Sequence, residues 1–187
     1  MAFKTEIHHR RSIRLKGYDY SSEGAYFITI CTFQKHCIFG TIKKGEIHYS
    51  PLGEIAMEEW KKTSEIRNEI ELGSFIVMPN HVHGIVFINT DNSRNLPSQT
   101  KDIDTSPIKL ENAPQLHSPS KTIGALVRGY KSAVTKQINS SFVSPNSKIW
   151  QRNYYEHIIR SEAALQKIDS YICQNPITWE DDTLFVK

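Results

Sequence analysis

Two apolar runs flank a proline-containing turn in the stretch Phe75-Ile76-Val77-Met78-Pro79-Asn80-His81-Val82-His83-Gly84-Ile85-Val86-Phe87-Ile88. Short runs that are rich in β-branched and aromatic residues are typical of strands, here over residues 72–78 and 82–88. The Pro79-Asn80 pair favours a turn between them. The stretch therefore predicts two buried strands that meet at a turn, with a His-x-His motif at the start of the second.

Other segments supply further strands and helices on both sides of this stretch. The composition predicts strands at 25–33, 38–42 and 46–49, and apolar residues at helical spacing predict helices at 51–67, 122–138 and 162–173. Pro51 suits the first turn of a helix, Ser161 suits an N-cap, and Pro176 ends the last helix. This order predicts an α+β fold, namely a ferredoxin-like antiparallel sheet with helices packed on one face.

The length and composition are those of an ordinary globular chain. We expect residues 1–187 to form a single domain, interrupted at 90–120 by a flexible insertion that is rich in Ser, Asn, Asp, Pro and Thr. No apolar run approaches the roughly 20 residues of a membrane helix, and the first residues lack the apolar core of a secretory signal. The three cysteines include no Cys-x-x-Cys pair, so we expect reduced thiols in a cytoplasmic protein.

Positive charge is concentrated in parts of the chain, although the net charge is only +3. Residues 112–155 contain no Asp or Glu, and residues 1–20 carry five basic side chains against two acidic ones. Such segregation is the pattern expected of a surface that binds a polyanion. The alternative interpretation is an ordinary solvated surface.

The His-x-His motif is half of a divalent-metal site. Side chains alternate between the two faces of a strand, so His81 and His83 point the same way and Val82 points the other. The alternative is a pair of structural histidines that are satisfied inside the core. The Pro79-Asn80 turn favours the functional interpretation, because it places His81 at a sheet end that a ligand can reach.

The last predicted helix offers two more candidate side chains. Tyr171 and Asn175 are four residues apart and so share a helix face. Two imidazoles and an amide oxygen would make three metal ligands and leave positions open for a substrate. A tyrosine near a metal is a candidate nucleophile for a phosphodiester, and Tyr154 and Tyr155 are rival candidates that would otherwise stack on bases or fill the core.

Several motifs, in this order along the chain, resemble those of the REP-associated tyrosine transposases, a branch of the single-tyrosine transposases in the His-hydrophobic-His endonuclease superfamily. They are Arg10-Arg11-Ser12-Ile13-Arg14-Leu15-Lys16-Gly17-Tyr18-Asp19-Tyr20, Met78-Pro79-Asn80-His81-Val82-His83, Trp150-Gln151-Arg152-Asn153-Tyr154-Tyr155-Glu156-His157-Ile158-Ile159-Arg160 and Tyr171-Ile172-Cys173-Gln174-Asn175-Pro176. The resemblance covers nearly the whole chain except residues 90–120. It implies a ferredoxin-like core.

The resemblance also implies a site and a reaction. His81, His83 and Asn175 would bind Mg²⁺ or Mn²⁺, and Tyr171 would be the nucleophile that forms a 5′-phosphotyrosine link. The substrate would be single-stranded or hairpin DNA of the repetitive extragenic palindrome (REP) type. We expect DNA contacts from the basic and aromatic side chains that lie in the charged and aromatic segments, namely Arg10, Arg11, Arg14, Lys16, Arg128, Lys131, Lys136, Trp150, Arg152, Tyr154 and Tyr155.

Two other functions are open at this point. A non-catalytic or domesticated nucleic-acid-binding protein would keep the fold and the basic surface without using the chemistry. A metallohydrolase for small phosphate esters would use metal-bound water and would form no covalent product. The long basic stretch without acidic residues favours a polymeric substrate over the second of these, and both a monomer and a homodimer fit the sequence.

Overall fold

The computed structural model describes residues 21–89, 121–141 and 148–186. Six strands and three α-helices follow one another along these residues, together with short 3-10 turns at Phe33–Lys35 and Trp179–Asp181. In chain order the elements are β1 (Gly24–Cys31), β2 (Gly40–Lys43), β3 (Glu46–Tyr49), α1 (Pro51–Ile66), β4 (Ile70–Met78), β5 (His81–Ile88), α2 (Ile123–Ser141), β6 (Tyr155–Ile159) and α3 (Glu162–Gln174). The predicted insertion at 90–120 and the N-terminal basic segment lie outside the described residues.

The main sheet has four strands in the order β4-β5-β1-β6, and every neighbouring pair is antiparallel. With α1 between β1 and β4, and α2 between β5 and β6, the connectivity is βαββαβ. This is the ferredoxin-like arrangement, and the predicted α+β fold class is confirmed. Strands β2 and β3 form a separate two-stranded hairpin.

Alternation along the two central strands divides the interior into two layers. Tyr26, Ile28 and Ile30 of β1, together with Val82 and Val86 of β5, pack with residues of α1 and α2. The residues between them, such as Phe27 and Ile85, face the other way and pack with α3. The two faces of the sheet are therefore covered by different helices.

Helix α3 extends the predicted architecture to the second face of the sheet. Helices α1 and α2 share one face, as expected, whereas Ile172 of α3 packs with Phe27 and Ile85 on the opposite face. Leu165 and Ile168 continue this apolar stripe of α3. Because α3 carries a stripe that needs burial and the first face is already filled, it covers the face that the βαββαβ unit leaves open.

The contact between Trp60 of α1 and Gly84 of β5 fixes how closely α1 lies on the sheet. Trp60 is completely buried, its ring centroid lies 5.1 Å from that of Tyr130 on α2, and the Tyr130 hydroxyl donates a hydrogen bond to Ala56 O at 3.0 Å. A Cβ at Gly84 would overlap the Trp60 ring. The glycine between His83 and Ile85 therefore gives the indole room against the strand that carries both histidines.

Strand β6 is an element that the sequence did not reveal. It pairs with β1 from Ala25↔Ile159 to Thr29↔Tyr155 and forms one edge of the sheet. One of its inward residues is Glu156, which is buried and whose carboxylate accepts a hydrogen bond from the Tyr154 hydroxyl at 2.9 Å. A buried carboxylate at an expected apolar position hides the alternation from which a strand is predicted.

The predicted signals at two helix starts, Pro51 in the first turn of α1 and Ser161 as the N-cap of α3, are confirmed. Ser161 Oγ accepts a hydrogen bond from Ala164 N at 3.2 Å, and Ser50 Oγ caps α1 in the same way through Gly53 N, with Pro51 in the first turn. Among the helices of the described residues, none is long and apolar enough to cross a membrane.

Two glycine substitutions should have opposite effects on stability. Gly129 is exposed within α2, and a Cβ there has nothing within 4 Å, so Gly129→Ala should raise the free energy of unfolding by about 0.5–1 kcal/mol. Gly84→Ala should lower it by about 1–3 kcal/mol, because the methyl group overlaps Trp60. Urea unfolding of both variants measures this, and equal effects of the two would contradict the packing described.

Candidate functional site

His81 and His83 lie on the face of the sheet that α3 covers. They are 0% and 2% exposed, and their ring centroids are 4.3 Å apart. In the antiparallel pairing of β5 with β1, His81 is opposite Cys31 and His83 is opposite Thr29. The expectation that the two imidazoles share a face is met, and the site begins at one end of the two central strands.

Each imidazole is oriented by a hydrogen bond through Nδ1. His81 Nδ1 lies 2.7 Å from Asn80 Oδ1, and His83 Nδ1 lies 2.9 Å from Thr29 Oγ1. The Asn80 amide nitrogen donates to Leu184 O at 2.8 Å and to Lys35 O at 3.3 Å, which leaves Oδ1 as an acceptor for His81. His81 Nδ1 therefore carries the proton, and Nε2 presents its lone pair to the site.

Burial keeps both imidazoles neutral at physiological pH. It lowers the pKa of His83 to about 4. Burial, and secondarily the neighbouring His83, hold the pKa of His81 well below its usual range. A neutral imidazole with a free nitrogen is the form that ligates metals.

Asn175 continues the helical conformation of α3 although Pro176 follows it. Its φ and ψ are −53° and −39°, so it stays one helical turn beyond Tyr171, and its side chain is completely buried. Its amide nitrogen donates a hydrogen bond to Asp182 Oδ2 at 2.8 Å. Tyr171 and Asn175 therefore point to the same place, as the i, i+4 spacing predicts.

Two buried acceptors in this site have no hydrogen-bond partner within the described parts of the chain. Of three such buried side-chain atoms there, two are His81 Nε2 and Asn175 Oδ1, and the third is Trp60 Nε1 on the other face of the sheet. Buried acceptors without a partner are uncommon in native proteins. Both residues lie beside Asp182, and unpartnered acceptors there fit a bound cation, so the residues present suit the divalent metal that the resemblance implies.

Asp182 is a member of the site that sequence analysis missed. One of its carboxylate oxygens and a ring nitrogen from each of His81 and His83 lie within 4.8 Å of one another. Burial alone would raise the pKa of this carboxyl, but hydrogen bonds from Leu184 N, Asn175 and Tyr171 outweigh it and lower the pKa. In the sequence it is one of three consecutive acidic residues, 180–182, and no spacing distinguishes it from its neighbours.

The Tyr171 hydroxyl lies directly at this cluster. It donates a hydrogen bond to Asp182 Oδ2 at 2.8 Å and is 3.1 Å from His83 Nε2. Burial, and then the hydrogen bond to Asp182, raise the pKa of this phenol. The side chain is still 40% exposed, so a substrate can reach an oxygen that contacts the candidate ligands.

A cleft of ≈ 570 Å³ opens beside Tyr171 and His83. Tyr154 and Tyr155 both line it, as does Phe27 on the floor of the sheet. Tyr155 is exposed, and Tyr154 packs partly against the core, with its hydroxyl bonded to Glu156. The structure therefore brings these two predicted DNA-contacting tyrosines to the site.

The other predicted DNA contacts are scattered. Trp150 packs beside Phe39 and Tyr130, and its indole nitrogen donates to Lys131 O at 3.2 Å. Arg128 and Lys136 are exposed on α2, which covers the opposite face of the sheet from the histidines, and Arg152 is exposed near the cleft. Arg10, Arg11, Arg14 and Lys16 lie outside the described residues.

Lys131 is half-buried, and its ammonium group contacts backbone carbonyls of the segment after Trp150. Its ammonium group donates hydrogen bonds to Gln151 O at 2.8 Å and to Asn153 O at 3.0 Å. Burial lowers its pKa to about 8. In this structure the side chain therefore ties α2 to the segment that lines the cleft.

Comparison with known proteins identifies a sequence relative and a solved structure with a similar fold. No protein-family model matches this chain. A protein of Haemophilus influenzae, described as an uncharacterized protein, is 42% identical over 189 aligned residues, which cover 98% of this chain and 97% of that protein. A solved structure of a REP-associated tyrosine transposase bound to a REP hairpin has a TM-score of 0.57 and 16% identity, and the match covers 89% of this chain and 74% of that chain.

Loss of the Asn80 side chain should destabilise the fold strongly. Asn80→Ala leaves His81 Nδ1 and two carbonyl oxygens without their partner, so the free energy of unfolding should fall by about 2–4 kcal/mol in urea unfolding. Asn89→Ala is the matched control, because Asn89 is exposed and its side-chain amide makes, within the described ranges, a single hydrogen bond of 3.4 Å to Glu71. It should change stability by less than about 0.5 kcal/mol, and similar losses in both variants would contradict a special role for Asn80.

Proposed function

We propose that this chain, which belongs to one family with the Haemophilus influenzae protein and has the fold of the REP-associated tyrosine transposase, is a metal-dependent endonuclease and strand-transferase for single-stranded hairpin DNA. The observation that carries the proposal is the convergence of the Tyr171 hydroxyl on a buried cluster of candidate ligands. An exposed phenol that contacts a neutral imidazole, His83, and a carboxylate, Asp182, is suited to nucleophilic attack on a phosphodiester.

His81, His83 and Asn175 would hold the metal, and Asp182 adds a fourth candidate ligand. Two imidazoles alone favour Zn²⁺ or Ni²⁺, whereas the amide and carboxylate oxygens move the donor set towards Mg²⁺ or Mn²⁺. Such an ion, when bound, polarises the scissile phosphate and stabilises the charge that develops on it. The Nδ1 partners Asn80 and Thr29 keep both ring nitrogens aimed at the ion.

Tyr171 needs a proton acceptor because its raised pKa leaves the phenol neutral at physiological pH. Asp182 already accepts the hydrogen bond from this hydroxyl, and its lowered pKa keeps it a carboxylate. As the phenolic oxygen attacks phosphorus, Asp182 takes the proton. The Tyr171–phosphate bond forms, the bond from phosphorus to the 3′ oxygen breaks, and that oxygen takes up a proton to become a 3′-hydroxyl.

The resulting 5′-phosphotyrosine stores the energy of the original phosphodiester. Attack by another 3′-hydroxyl reverses the chemistry and joins the DNA to a new end, which is strand transfer. Hairpin DNA as the substrate is supported by the REP hairpin bound to the structural neighbour. The exposed Arg152 near the cleft offers a contact to the phosphate backbone.

The covalent intermediate provides the first test. Incubation with a single-stranded DNA hairpin that has an unpaired flank, in the presence of Mn²⁺, should give a protein–DNA adduct on a denaturing gel. Tyr171→Phe should abolish the adduct, since the nucleophilic oxygen is absent. Tyr49→Phe, a change in the separate β2–β3 hairpin, is the matched control and should leave it unchanged. An adduct that survives Tyr171→Phe would refute the assigned nucleophile, and hairpin binding without any adduct would favour the non-catalytic alternative.

Metal binding can be tested without any reaction. Mn²⁺ at about 100 times its dissociation constant should stabilise the protein by about 2.7 kcal/mol, measured as a rise in thermal midpoint. His81→Ala and Asn175→Ala should each remove most of that rise, because each deletes one of the unpartnered acceptors. His48→Ala, at an exposed position on β3, is the control and should retain the full rise. Equal stabilisation of all three variants would place the ion elsewhere.

A further inference from the structure

Helix α3 packs mainly over β4 and β5 on the face of the sheet that carries the histidines. Beside it, within the described residues, a cleft of ≈ 570 Å³ lies over Thr29 and Cys31 of β1 and reaches from Tyr171 to Tyr155. Its volume falls in the range of small-ligand pockets, about 300–1,000 Å³.

We propose that this cleft is a subsite for one unstacked nucleobase of the DNA strand beside the scissile phosphate, with Tyr155 as its stacking surface and Gln151 as the side chain that reads the base. The proposal rests on the proposed function, because it takes Tyr171 as the group that meets the phosphate. It adds a position at which the enzyme would distinguish among DNA sequences.

Tyr155 has the exposure and the support that a stacking surface needs. It is 48% exposed at the start of β6, where it lines the cleft. Phe27 packs edge-on against both Tyr155 and Tyr171, with centroid distances of 6.4 Å and 6.2 Å. The two tyrosines therefore flank one buried ring, so a base stacked on Tyr155 lies next to the nucleophile.

Gln151 sits on a rim whose backbone is fixed. Its N–H donates to Cys31 O at 3.0 Å, and its own carbonyl accepts from the Lys131 ammonium group. Its side-chain amide makes no hydrogen bond to any other residue in the described ranges. An amide offers a donor and an acceptor side by side, which is the pattern that reads the edge of a base.

A binding scan tests the subsite directly. The Tyr171→Phe chain, which does not cleave, is titrated with fluorescent hairpins that carry an abasic nucleotide at each position of the unpaired flank in turn. We expect one position at which the missing base weakens binding about tenfold to a hundredfold in fluorescence anisotropy. Adding Tyr155→Ala should weaken binding of the intact hairpin by a similar factor and remove this position dependence, and Tyr155→Phe should restore it because the ring remains.

A scan that is flat, or a position dependence that survives Tyr155→Ala, overturns the subsite. The role of Gln151 is read from the four bases placed in turn at the sensitive position. Gln151→Leu should equalise their affinities without changing that of the abasic hairpin, and an unchanged preference overturns this assignment. Failure of the proposed function appears separately, as the absence of an adduct from the native chain, because the binding scan needs no cleavage.

Discussion

The antiparallel pairing of β1 with β5 at the centre of the sheet is the constraint on which the rest of the structure depends. It sends Val82 and Val86 into the core beneath α1 and α2, and it sends His81 and His83 to the face beneath α3. Because side chains alternate with a period of two, a slip of one residue would bury both imidazoles in the apolar layer and expose that layer's valines to the site. The need to bury the core thus also determines where the candidate ligands lie.

The site is assembled from segments that are far apart in the chain and are joined by buried hydrogen bonds. Asn80 links the β4–β5 turn to Lys35 on one side and to Leu184 near the C-terminus on the other. Thr32 donates to Asn80 O and so fastens the end of β1 to the same turn. In a low-dielectric interior each of these polar groups requires a partner. Satisfying them draws the C-terminal segment across the histidines and brings Asp182 to Tyr171.

The parts of the fold that were predictable are those with a local signal. The apolar runs around Pro79-Asn80 predict β4 and β5, and the cap at Ser161 with the stripe of α3 predicts that helix. Strand β6 was not predicted because one of its inward residues, Glu156, is a carboxylate that accepts a hydrogen bond from Tyr154. The hydrogen bonds of Lys131 to the carbonyls of Gln151 and Asn153 were also not predictable, because backbone acceptors leave no signal in the residue types.

The sequence by itself determined the α+β class, the shared face of His81 and His83, and the alignment of Tyr171 with Asn175, because strand and helix periods fix these relations locally. Tertiary structure alone decided that α3 covers the second face of the sheet, that a cleft forms beside Tyr171 and His83, and that Asp182 joins the cluster. These features depend on how separate elements pack and on hydrogen bonds between buried polar groups more than a hundred residues apart. The local sequence around each residue does not indicate such contacts.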